Sequence, residues 1–339
     1  MTTSAGIPRW MELDGAPPIP GLRARFFLDV SDYDHLSSLM ITANSADELP
    51  WLPTAQNLQV EMDAAEGADP VNDVVLVEVD GSVIAASGVE RAVRDGVPTY
   101  EIWGVVHPDV RRRGLGTALM GWSLGHARVR ATREDPGARV NVGTFSQDNE
   151  IAHRALIARA GLQPVRQFFL MRRPNLADIP DASIPEGLEV REVSEDQRRA
   201  IFEAENEAFR DHWGHRELDD GDYIATYARS ELDTGLWVVA WDGDEVAGVV
   251  QTWVWGEENE RLGVKRGWLE HISVRRPWRR RGLATALTAA SLVKLREAGM
   301  DEAMLGVDSQ NENGALGLYE RLGFSLYSRA AAYNRELKR

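Results

Sequence analysis

The residues with the clearest chemical potential form two short runs of arginine and glycine, one in each half of the chain. The first is Arg111-Arg-Arg-Gly-Leu-Gly116 and the second is Arg279-Arg-Arg-Gly-Leu-Ala284. Glycine allows a turn whose successive N–H groups point at one spot, and a helix that begins there adds the positive end of its dipole. Both runs therefore predict a site for a pyrophosphate group, to which the arginines add positive charge.

The context of these runs separates them from other glycine-rich loops. A dinucleotide-binding fingerprint needs G-x-G-x-x-G after the first strand of a βαβ unit, and neither run supplies it. The shared pattern is instead R-x-x-G-x-(G/A), and each copy follows a predicted strand and opens a predicted helix. A single copy could equally be a solvated helix cap, but the repetition of the whole context favours an anion site.

The elements that position the two runs repeat on either side of a segment with three prolines, 174–187, which predicts a linker. In the first half we predict strands at 22–28, 74–79, 83–93, 99–106 and 139–144, with helices at 32–48, 114–132 and 150–160. In the second half we predict strands at 188–193, 236–241, 245–255, 268–274 and 302–307, with helices at 196–209, 220–230, 282–298 and 314–322. The predicted domains are therefore 1–175 and 188–339, joined by a linker at 176–187.

The second run and the residues after it resemble the GNAT superfamily of acyl-CoA-dependent N-acyltransferases. The resemblance covers both halves and is strongest in 268–324, where the turn is followed by Asn311, Ala315, Leu318-Tyr-Glu320 and Gly323-Phe324. It implies an α/β fold of two tandem GNAT domains, each a mixed, mostly antiparallel sheet flanked by helices, in which the fourth and fifth strands splay apart. The tandem layout is similar to that of mycothiol synthase-like proteins.

The same resemblance implies acetyl-CoA as the cosubstrate, with its pantetheine arm between the splayed strands. In the second half the expected contacts are Ile272, Ser273, Val274, Arg279, Arg280, Arg281, Gly282, Leu283, Ala284 and Asn311. In the first half the matching contacts are Val105, Val106, Arg111, Arg112, Arg113, Gly114, Leu115 and Gly116. The first half would then either bind acetyl-CoA without turnover, which its intact turn favours, or serve only as a scaffold.

Transfer of an acyl group to an amine requires a base for the ammonium proton, stabilisation of the oxyanion and an acid for the departing thiolate. The chain has no cysteine, which excludes a thiol acyl-enzyme and favours direct attack in a ternary complex. By resemblance, Tyr319 is the candidate acid. Alignment through Gly323 and Gly161 places Ile157 at the same position of the first half, and isoleucine cannot donate a proton. We therefore expect the chemistry in the second half.

Glu270 is the candidate base, because strand alternation would place it on the same face as the strand residues expected to bind the thioester. Counting back from the two turns gives Ile102 as its equivalent, so the first half would lack both proton carriers. Family members often carry the base one pleat earlier, where this chain has Trp268. A carboxylate in this strand could also serve only as the partner of an arginine. His271 would point to the opposite face, and we expect it to be structural.

The segment 208–222 combines acids with histidine and tryptophan, and we expect it to overhang the acceptor groove. Asp211 and the other acids would hold a cationic acceptor, Trp213 would stack on a sugar or another flat group, and His212 between them is a further expected substrate contact. The alternative is a helix cap followed by a solvated loop. Two histidines near acids also allow a metal site, but without H-x-x-x-H or a cysteine partner we expect no metal.

The composition narrows the class of partner. The 339-residue chain has a formal net charge of −15, which argues against nucleic acid and favours a cationic small molecule, unless the charge serves only solubility. No apolar run is long enough to cross a membrane, and the first ten residues lack the apolar core of a secretion signal. We therefore expect a cytoplasmic protein without a membrane partner.

The function predicted from the sequence is acetyl-CoA-dependent N-acetylation of a primary amine on a small acceptor, with an amino sugar as one version. One alternative within enzymes is a protein or peptide N-acetyltransferase. An alternative from another class is an acyl-CoA-binding regulatory module without turnover. Release of free CoA thiol in the presence of amines separates the enzymes from the module.

Overall fold

The computed structural model describes residues 7–64, 69–229, 231–311 and 314–338. The chain forms two compact units, which we call the first unit (1–165 and 331–339) and the second unit (166–330). Parts of three features predicted from the sequence lie outside the described residues: the start of the N-terminal segment, the helix end at Ser230, and Glu312 and Asn313 of the final motif.

The first unit is a sheet with helices on both faces. Its elements are β1 (Trp10–Met11), β2 (Leu22–Phe26), α1 (Asp32–Ala46), α2 (Ala55–Ala64), α3 (Pro70–Asp73), β3 (Val74–Val79), β4 (Ser82–Arg94), β5 (Val97–Val106), α4 (Leu115–Glu134), β6 (Asn141–Gln147) and α5 (Ile151–Arg159). The strands pair in chain order, antiparallel as far as β5 and parallel between β5 and β6. Asp80 and Asp95 take positive φ values of 50° and 49° before glycines, as expected for tight hairpin turns.

The second unit repeats this plan. Its elements are β7 (Gln163–Arg173), β8 (Glu189–Arg191), α6 (Arg198–Phe209), α7 (Asp220–Tyr227), β9 (Val238–Asp242), β10 (Glu245–Trp253), α8 (Gly256–Leu262), β11 (Arg266–Val274), α9 (Leu283–Glu297), β12 (Glu302–Asp308), α10 (Ala315–Arg321) and β13 (Ser325–Glu336). The strand order is β7–β12–β11–β10–β9–β8. Among the described pairs of this order, β11–β12 is parallel and the other four are antiparallel.

Alternation along the strands of the second unit fills two separate cores. Val250 of β10 packs with Leu287 of α9 on one side of the sheet, and its neighbour Val249 packs with Ile201 of α6 on the other. We call these sides the α9 face and the α6 face. Each fully buried aliphatic side chain contributes roughly 1.5–3 kcal/mol, so a slip of one residue in this ladder would expose both cores.

The compact units do not coincide with the halves of the sequence repeat. Strand β7 follows α5 in the chain, yet it pairs antiparallel with β12 of the second unit, from Phe168 opposite Asp308 to Arg173 opposite Ala303. Residues 331–336 of β13 belong in turn to the first unit, where the N–H of Leu337 donates to the carbonyl of Val140 (3.0 Å). Each unit therefore contains a strand from the other half, whereas the domain bounds predicted from the repeat did not include this exchange.

The proline-containing segment has no helix or strand between Pro174 and Leu188, as predicted for a linker. Leu176 within it is nevertheless buried, and Ile179, Ala182 and Ile184 pack against the core of the second unit. The segment is therefore part of that unit's packing rather than a free tether.

The close approach of β11 to α9 allows a direct test of this packing. A Cβ atom at Gly267 would lie 2.1 Å from the Cδ2 atom of Leu295, which is fully buried. We expect Gly267→Ala to lower the free energy of unfolding by roughly 1–3 kcal/mol, because the whole leucine side chain must move. Urea unfolding followed by circular dichroism measures this change.

The control for this variant is Gly121→Ala in the middle of α4, where a Cβ atom meets nothing within 4 Å. Alanine is the better helix former, so the free energy of unfolding should rise by about 0.5–1 kcal/mol. Equal stability of Gly267→Ala and the wild type would contradict the packing described here.

Candidate active site

The candidate site lies where the parallel strands β11 and β12 part. They pair only over Arg266–Trp268 and Glu302–Met304, although β11 continues to Val274 and β12 to Asp308. A buried ion pair between Arg266 and Glu302 (2.7 Å) holds the closed end. Beyond that end the ladder between the two strands stops, which leaves the kind of gap that an extended pantetheine arm can occupy. The predicted splay of the fourth and fifth strands is confirmed.

Strands β5 and β6 of the first unit part in the same way, after a parallel ladder of Thr99–Glu101 with Asn141–Gly143. The two gaps differ in what borders them. Counted along these ladders, β12 has Gly306 where β6 has Phe145, and the side chain of Phe145 is 50% exposed. The first unit therefore has a large aromatic side chain at a position where the second unit has none.

The turn after β11, residues 279–284, has the backbone conformation that anion binding requires, and we call it the anion turn. Arg280 and Gly282 take positive φ values of 62° and 85°, and α9 begins at the next residue. Arginine in this conformation costs roughly 1–3 kcal/mol, so the surrounding structure must impose it. The first N–H groups of a helix have no partners within the helix and are available to an anion. Arg112 and Gly114 repeat the pattern in the first unit, with φ values of 64° and 102°.

One arginine of the second run clamps this turn to the end of α6. Arg279 donates hydrogen bonds to the carbonyl oxygens of Val274 (2.9 Å) and Ala208 (3.1 Å), and it forms an ion pair with Asp211 (2.7 Å). Arg276 binds the same carboxylate. Hydrogen bonds from these two arginines hold the pKa of Asp211 well below its usual range. Asp211 therefore stabilises the anion turn, and its carboxylate is not free to hold a cationic acceptor as we predicted.

The first unit contains the same clamp. Arg111 donates to the carbonyl oxygens of Val106 (3.0 Å) and Ala43 (3.5 Å) and forms an ion pair with Asp47 (2.6 Å). Like Arg279, Arg111 thus binds two carbonyl oxygens and one aspartate, although the first unit has Pro108 where Arg276 adds a second ion pair. The first arginine of each run thus orders the turn, and the exposed arginines that follow it, Arg112-Arg113 and Arg280-Arg281, remain as charges for a phosphate.

The other acids of the loop after α6 also have internal partners. Glu217 pairs with Arg210 (2.6 Å), and Asp222 pairs with Arg216 (2.5 Å). Asp220 pairs with Arg199, and Asp219 caps α7 by accepting hydrogen bonds from two backbone N–H groups. Arginines inside and outside this segment therefore neutralise most of its acidic side chains, which weakens the physical basis for a cation-binding loop.

His212 and Trp213 lie in the same loop and are partly buried. The ring of His212 packs edge-on against Phe209, with centroids 4.3 Å apart, and burial lowers the pKa of His212. The ring of Trp213 lies 6.0 Å from that of Phe168 in β7. Both side chains therefore have packing partners, and an additional contact with an acceptor stays a prediction.

Several of the expected acetyl-CoA contacts offer only main-chain atoms. The side chains of Leu283 and Leu115 are buried in the cores beneath α9 and α4. Ser273 is buried and lies opposite Val249 in the ladder, so its side chain points to the α6 face. Asn311 follows β12, and its N–H donates to the carbonyl of Asp308 (3.1 Å).

Tyr319 lies in α10 and belongs to the core of the α9 face. Its side chain is 6% exposed, and its ring packs edge-on against Phe324, with centroids 6.1 Å apart. Burial raises the pKa of Tyr319 above its ordinary value, so the hydroxyl keeps its proton throughout the neutral range. Among the residues that the structure describes, none forms a hydrogen bond with this hydroxyl. A protonated hydroxyl of this kind can give its proton to a bound sulfur.

Ile157 occupies the same place in the first unit, as we predicted from the alignment. The N–H of Leu162 donates to the carbonyl of Ile157 (3.2 Å), just as the N–H of Phe324 donates to the carbonyl of Tyr319 (3.0 Å). Both side chains are buried. The first unit thus has a hydrocarbon side chain where the second has a hydroxyl.

Glu270 lies at a β-bulge. In the ladder between β10 and β11, Thr252 opposes Leu269, but the next residue of β10, Gln251, opposes His271. Glu270 is therefore an extra residue on β11, and no residue of β10 lies directly opposite it. A bulge of this kind changes the alternation of side chains for the rest of the strand.

This bulge corrects the predicted face of Glu270. Because Ile272 follows the bulge, it shares the α9 face with Leu269, and the prediction that Glu270 lies on the same face by simple alternation is wrong. The carboxylate of Glu270 instead accepts a hydrogen bond from the indole of Trp255 (3.4 Å). His271 lies on the α6 face, opposite to Ile272 as we predicted.

The bulge also corrects the counted alignment with the first unit, since the ladder between β4 and β5 shows no shift. Glu101 forms the last parallel pair of its ladder, as Trp268 does, so Glu101 corresponds to Trp268, and Ile102 corresponds to Leu269 rather than to Glu270 as we predicted. Glu90 lies directly opposite Glu101, and burial raises the pKa of both carboxyl groups. The first unit therefore lacks a hydroxyl that could act as the general acid, but it does have carboxylates near the position of the base.

Sequence reasoning missed one polar group in the second unit. Glu205 is 4% exposed, within the apolar stripe that α6 presents with Ile201 and Ala208, and its carboxylate faces Nδ1 of His271 at 2.5 Å. Burial of an acid is costly unless it is paired. An acid at helical spacing between apolar residues is the signal that could have drawn attention to it.

The described part of the chain has neither a metal-binding cluster nor a helix suited to a membrane. No cluster of three or more histidine, aspartate or glutamate side chains there has the arrangement of a metal site. None of the described helices is long and apolar enough to cross a membrane.

The chain is similar in sequence to several mycothiol acetyltransferases. It is 31% identical over 287 residues to the mycothiol acetyltransferase of Salinispora arenicola, covering 80% of this chain and 89% of the relative. It is 32% identical over 309 residues to the mycothiol acetyltransferase of Salinispora tropica, covering 86% and 96%.

Solved structures share the whole architecture. The GCN5-related N-acetyltransferase from Sphaerobacter thermophilus matches with a TM-score of 0.70 and 26% identity, over 95% of this chain and 97% of that one. A tandem GNAT protein from the clavulanic acid biosynthesis pathway shares the fold, with a TM-score of 0.64 and 19% identity, over 94% and 99%. The acetyltransferase (GNAT) family model matches residues 39–159 and 198–324, once in each half. The protein therefore belongs to the GNAT family of acetyltransferases and is an N-acetyltransferase that carries two copies of the family's domain.

Proposed function

We propose that the protein moves the acetyl group of acetyl-CoA to a primary amine of a small acceptor, by direct attack in a ternary complex within the second unit. The observation that carries this proposal is the combination of an opened strand pair, an ordered anion turn at one end of it and the buried hydroxyl of Tyr319. The family uses acetyl-CoA as its cosubstrate. In this proposal the pyrophosphate binds at Arg280–Ala284, and the pantetheine arm follows β11 into the gap.

The assignment of turnover to the second unit depends on the acid. The first unit retains the anion turn, the splayed strands and a carboxylate, but Ile157 cannot protonate a departing thiolate. In the second unit the raised pKa of Tyr319 keeps its proton in place until the C–S bond breaks. We propose that the first unit binds acetyl-CoA without turnover.

The acceptor that we propose to test first is an amino sugar or an aminoacyl derivative of one. The similarity to the mycothiol acetyltransferases of Salinispora supports this choice, and acetylation in mycothiol formation is its most specific version. Trp268 is a departure that counts against simple transfer of that activity. It stands where family members often carry the base, it is buried, and its indole donates to the buried carboxylate of Glu258 (3.2 Å).

The anion turn is tested by Gly282→Val. A β-branched residue at a φ of 85° introduces roughly 1–3 kcal/mol of strain, so we expect the Kd for CoA to rise about tenfold or more. Isothermal titration calorimetry measures the Kd. Gly81→Val is the matched control, because Gly81 has a φ of 82° in a hairpin turn of the first unit.

The same change in the first unit, Gly114→Val, reports whether CoA also binds there. We expect the number of CoA molecules bound per chain to fall in this variant. Wild-type affinity in Gly282→Val would contradict the proposed position of the pyrophosphate.

The role of Tyr319 is tested by Tyr319→Phe, which removes only the hydroxyl. We expect kcat to fall about 100-fold or more while the KM for acetyl-CoA changes little, as for loss of a general acid. Release of CoA thiol can be followed with a chromogenic disulfide without background, since the protein itself has no cysteine. Tyr327→Phe, at an exposed position of β13, is the control. A normal kcat in Tyr319→Phe would remove the acid assignment.

The predicted base role of Glu270 is tested by Glu270→Gln. If the carboxylate takes the amine proton, the loss of kcat/KM should be largest at low pH, where the free amine is scarce, and should shrink as solvent deprotonates the amine. A pH series of thiol release measures this. A profile parallel to that of the wild type would show that Glu270 is not the base.

A further inference from the structure

His271 lies at the border of the gap, on the α6 face. It opposes Gln251 in the ladder, while the next residue, Ile272, packs on the α9 face. The core of the α9 face contains Tyr319. The two strands that separate these faces part after Trp268, so a group on either face can reach a molecule that lies in the gap.

A buried carboxylate on α6 holds the imidazole of His271. Its Nδ1 lies 2.5 Å from Oε1 of Glu205, whose other carboxylate oxygen accepts a hydrogen bond from the side chain of Gln251. Glu205 and Gln251 are 4% and 2% exposed, whereas the side chain of His271 is 49% exposed. Because the anchor occupies Nδ1, Nε2 is the nitrogen that can exchange a proton with a bound molecule. Among the described residues, Nε2 has no hydrogen-bond partner.

The first unit shows that the fold does not require these polar groups. Counted from the common clamp and ladder, Glu205, Gln251 and His271 correspond to three apolar positions. Those positions are Met40, Gly88 and Trp103, and the indole of Trp103 fills the space beside Gly88. The same scaffold thus packs with a methionine, a glycine and a tryptophan where the second unit buries an acid under a histidine. A buried acid without such a need points to chemistry.

We propose that His271 accepts the proton of the attacking amine, and that Glu205, held by Gln251, is the positioning residue that orients its ring. This inference rests on the proposed function. It assigns to Glu270 the lesser role of a neighbouring negative charge that attracts the ammonium form of the acceptor. The base and the acid then act from opposite faces of the opened sheet.

The proposed reaction begins with the neutral amine. The amine nitrogen forms a bond to the thioester carbonyl carbon, and one N–H proton passes to Nε2 of His271. The C–S bond breaks, and the thiolate takes the hydroxyl proton of Tyr319. The proton on His271 then returns through solvent to Tyr319, which leaves an amide and free CoA.

The charged groups around His271 set the pH at which it can accept a proton. Burial lowers the pKa of His271, but attraction to Glu205 on α6 and to Glu270 on β11 outweighs both burial and the repulsion of Arg229 after α7. Together they raise the pKa of His271 to about 9. Below this pH the neutral base becomes about tenfold scarcer for each pH unit. The rate should therefore rise with pH and level off near 9.

The experiment compares pH profiles of kcat/KM for the wild type, His271→Asn and Glu205→Gln, with an acceptor amine that is already neutral at neutral pH. We expect His271→Asn to lose about 100-fold or more at neutral pH and to lose the rising limb. In Glu205→Gln the pH range over which kcat/KM rises should move toward the ordinary histidine pKa of about 6.5, because the attraction of Glu205 that raised the pKa of His271 is gone. NMR titration of the imidazole should show the same shift without any turnover.

The matched control is His35→Asn in the first unit. The side chain of His35 is 48% exposed, and its Nδ1 lies 3.2 Å from the buried carboxylate of Asp32. The variant therefore removes a similar pair of histidine and buried acid outside the proposed site. Melting curves establish that the variants are folded. A His271→Asn profile that keeps the rising limb would overturn the base assignment and leave the proposed function standing. Absence of thiol release by the wild type with every amine would overturn both.

Discussion

The parting of β11 from β12 is the constraint on which the proposed chemistry depends. A buried ion pair between Arg266 and Glu302 closes one end of the two strands, and the bulge at Glu270 turns the side chains that follow. The resulting gap connects the two faces of one sheet. One face carries the anion turn and the proposed acid, Tyr319, and the other carries the proposed base, His271. A thioester in the gap would be accessible to both, which an intact ladder would prevent.

Comparison of the two units separates what the scaffold requires from what chemistry requires. Both units keep the arginine clamp, with the same two carbonyl oxygens and an aspartate, because the strained turn depends on it. They differ at the two positions for which we propose proton transfer. Tyr319 and His271 of the second unit correspond to Ile157 and Trp103 of the first. A duplicated scaffold has thus kept its binding geometry in both copies and its proposed acid in one.

Local patterns predicted most of the regular elements and the internal repeat, because periodicity, Asp-Gly pairs and the repeated turn are properties of neighbouring residues. The tandem GNAT fold came from the resemblance of the second run and the residues after it to that family, and β1, β7, β13, α2, α3 and α8 were not predicted. Features that depend on distant residues were missed. The clamp joins Arg279 to Asp211 across 68 positions, so the aspartate was read as a ligand for the acceptor. The face of Glu270 was wrong because alternation assumes a ladder without a bulge. The strand exchange of β7 and β13 was missed because pairing between halves has no local signature.

That exchange determines how the chain can be divided. A cut in the proline-containing segment, which looks like a natural boundary, would leave β12 without the antiparallel partner that β7 supplies and would deprive the first unit of the end of β13. The bare edge of β12 would then carry unpaired backbone groups, which favour aggregation. Each compact unit consequently needs a strand segment from the other half of the sequence, so expression of either half alone would yield an incomplete sheet.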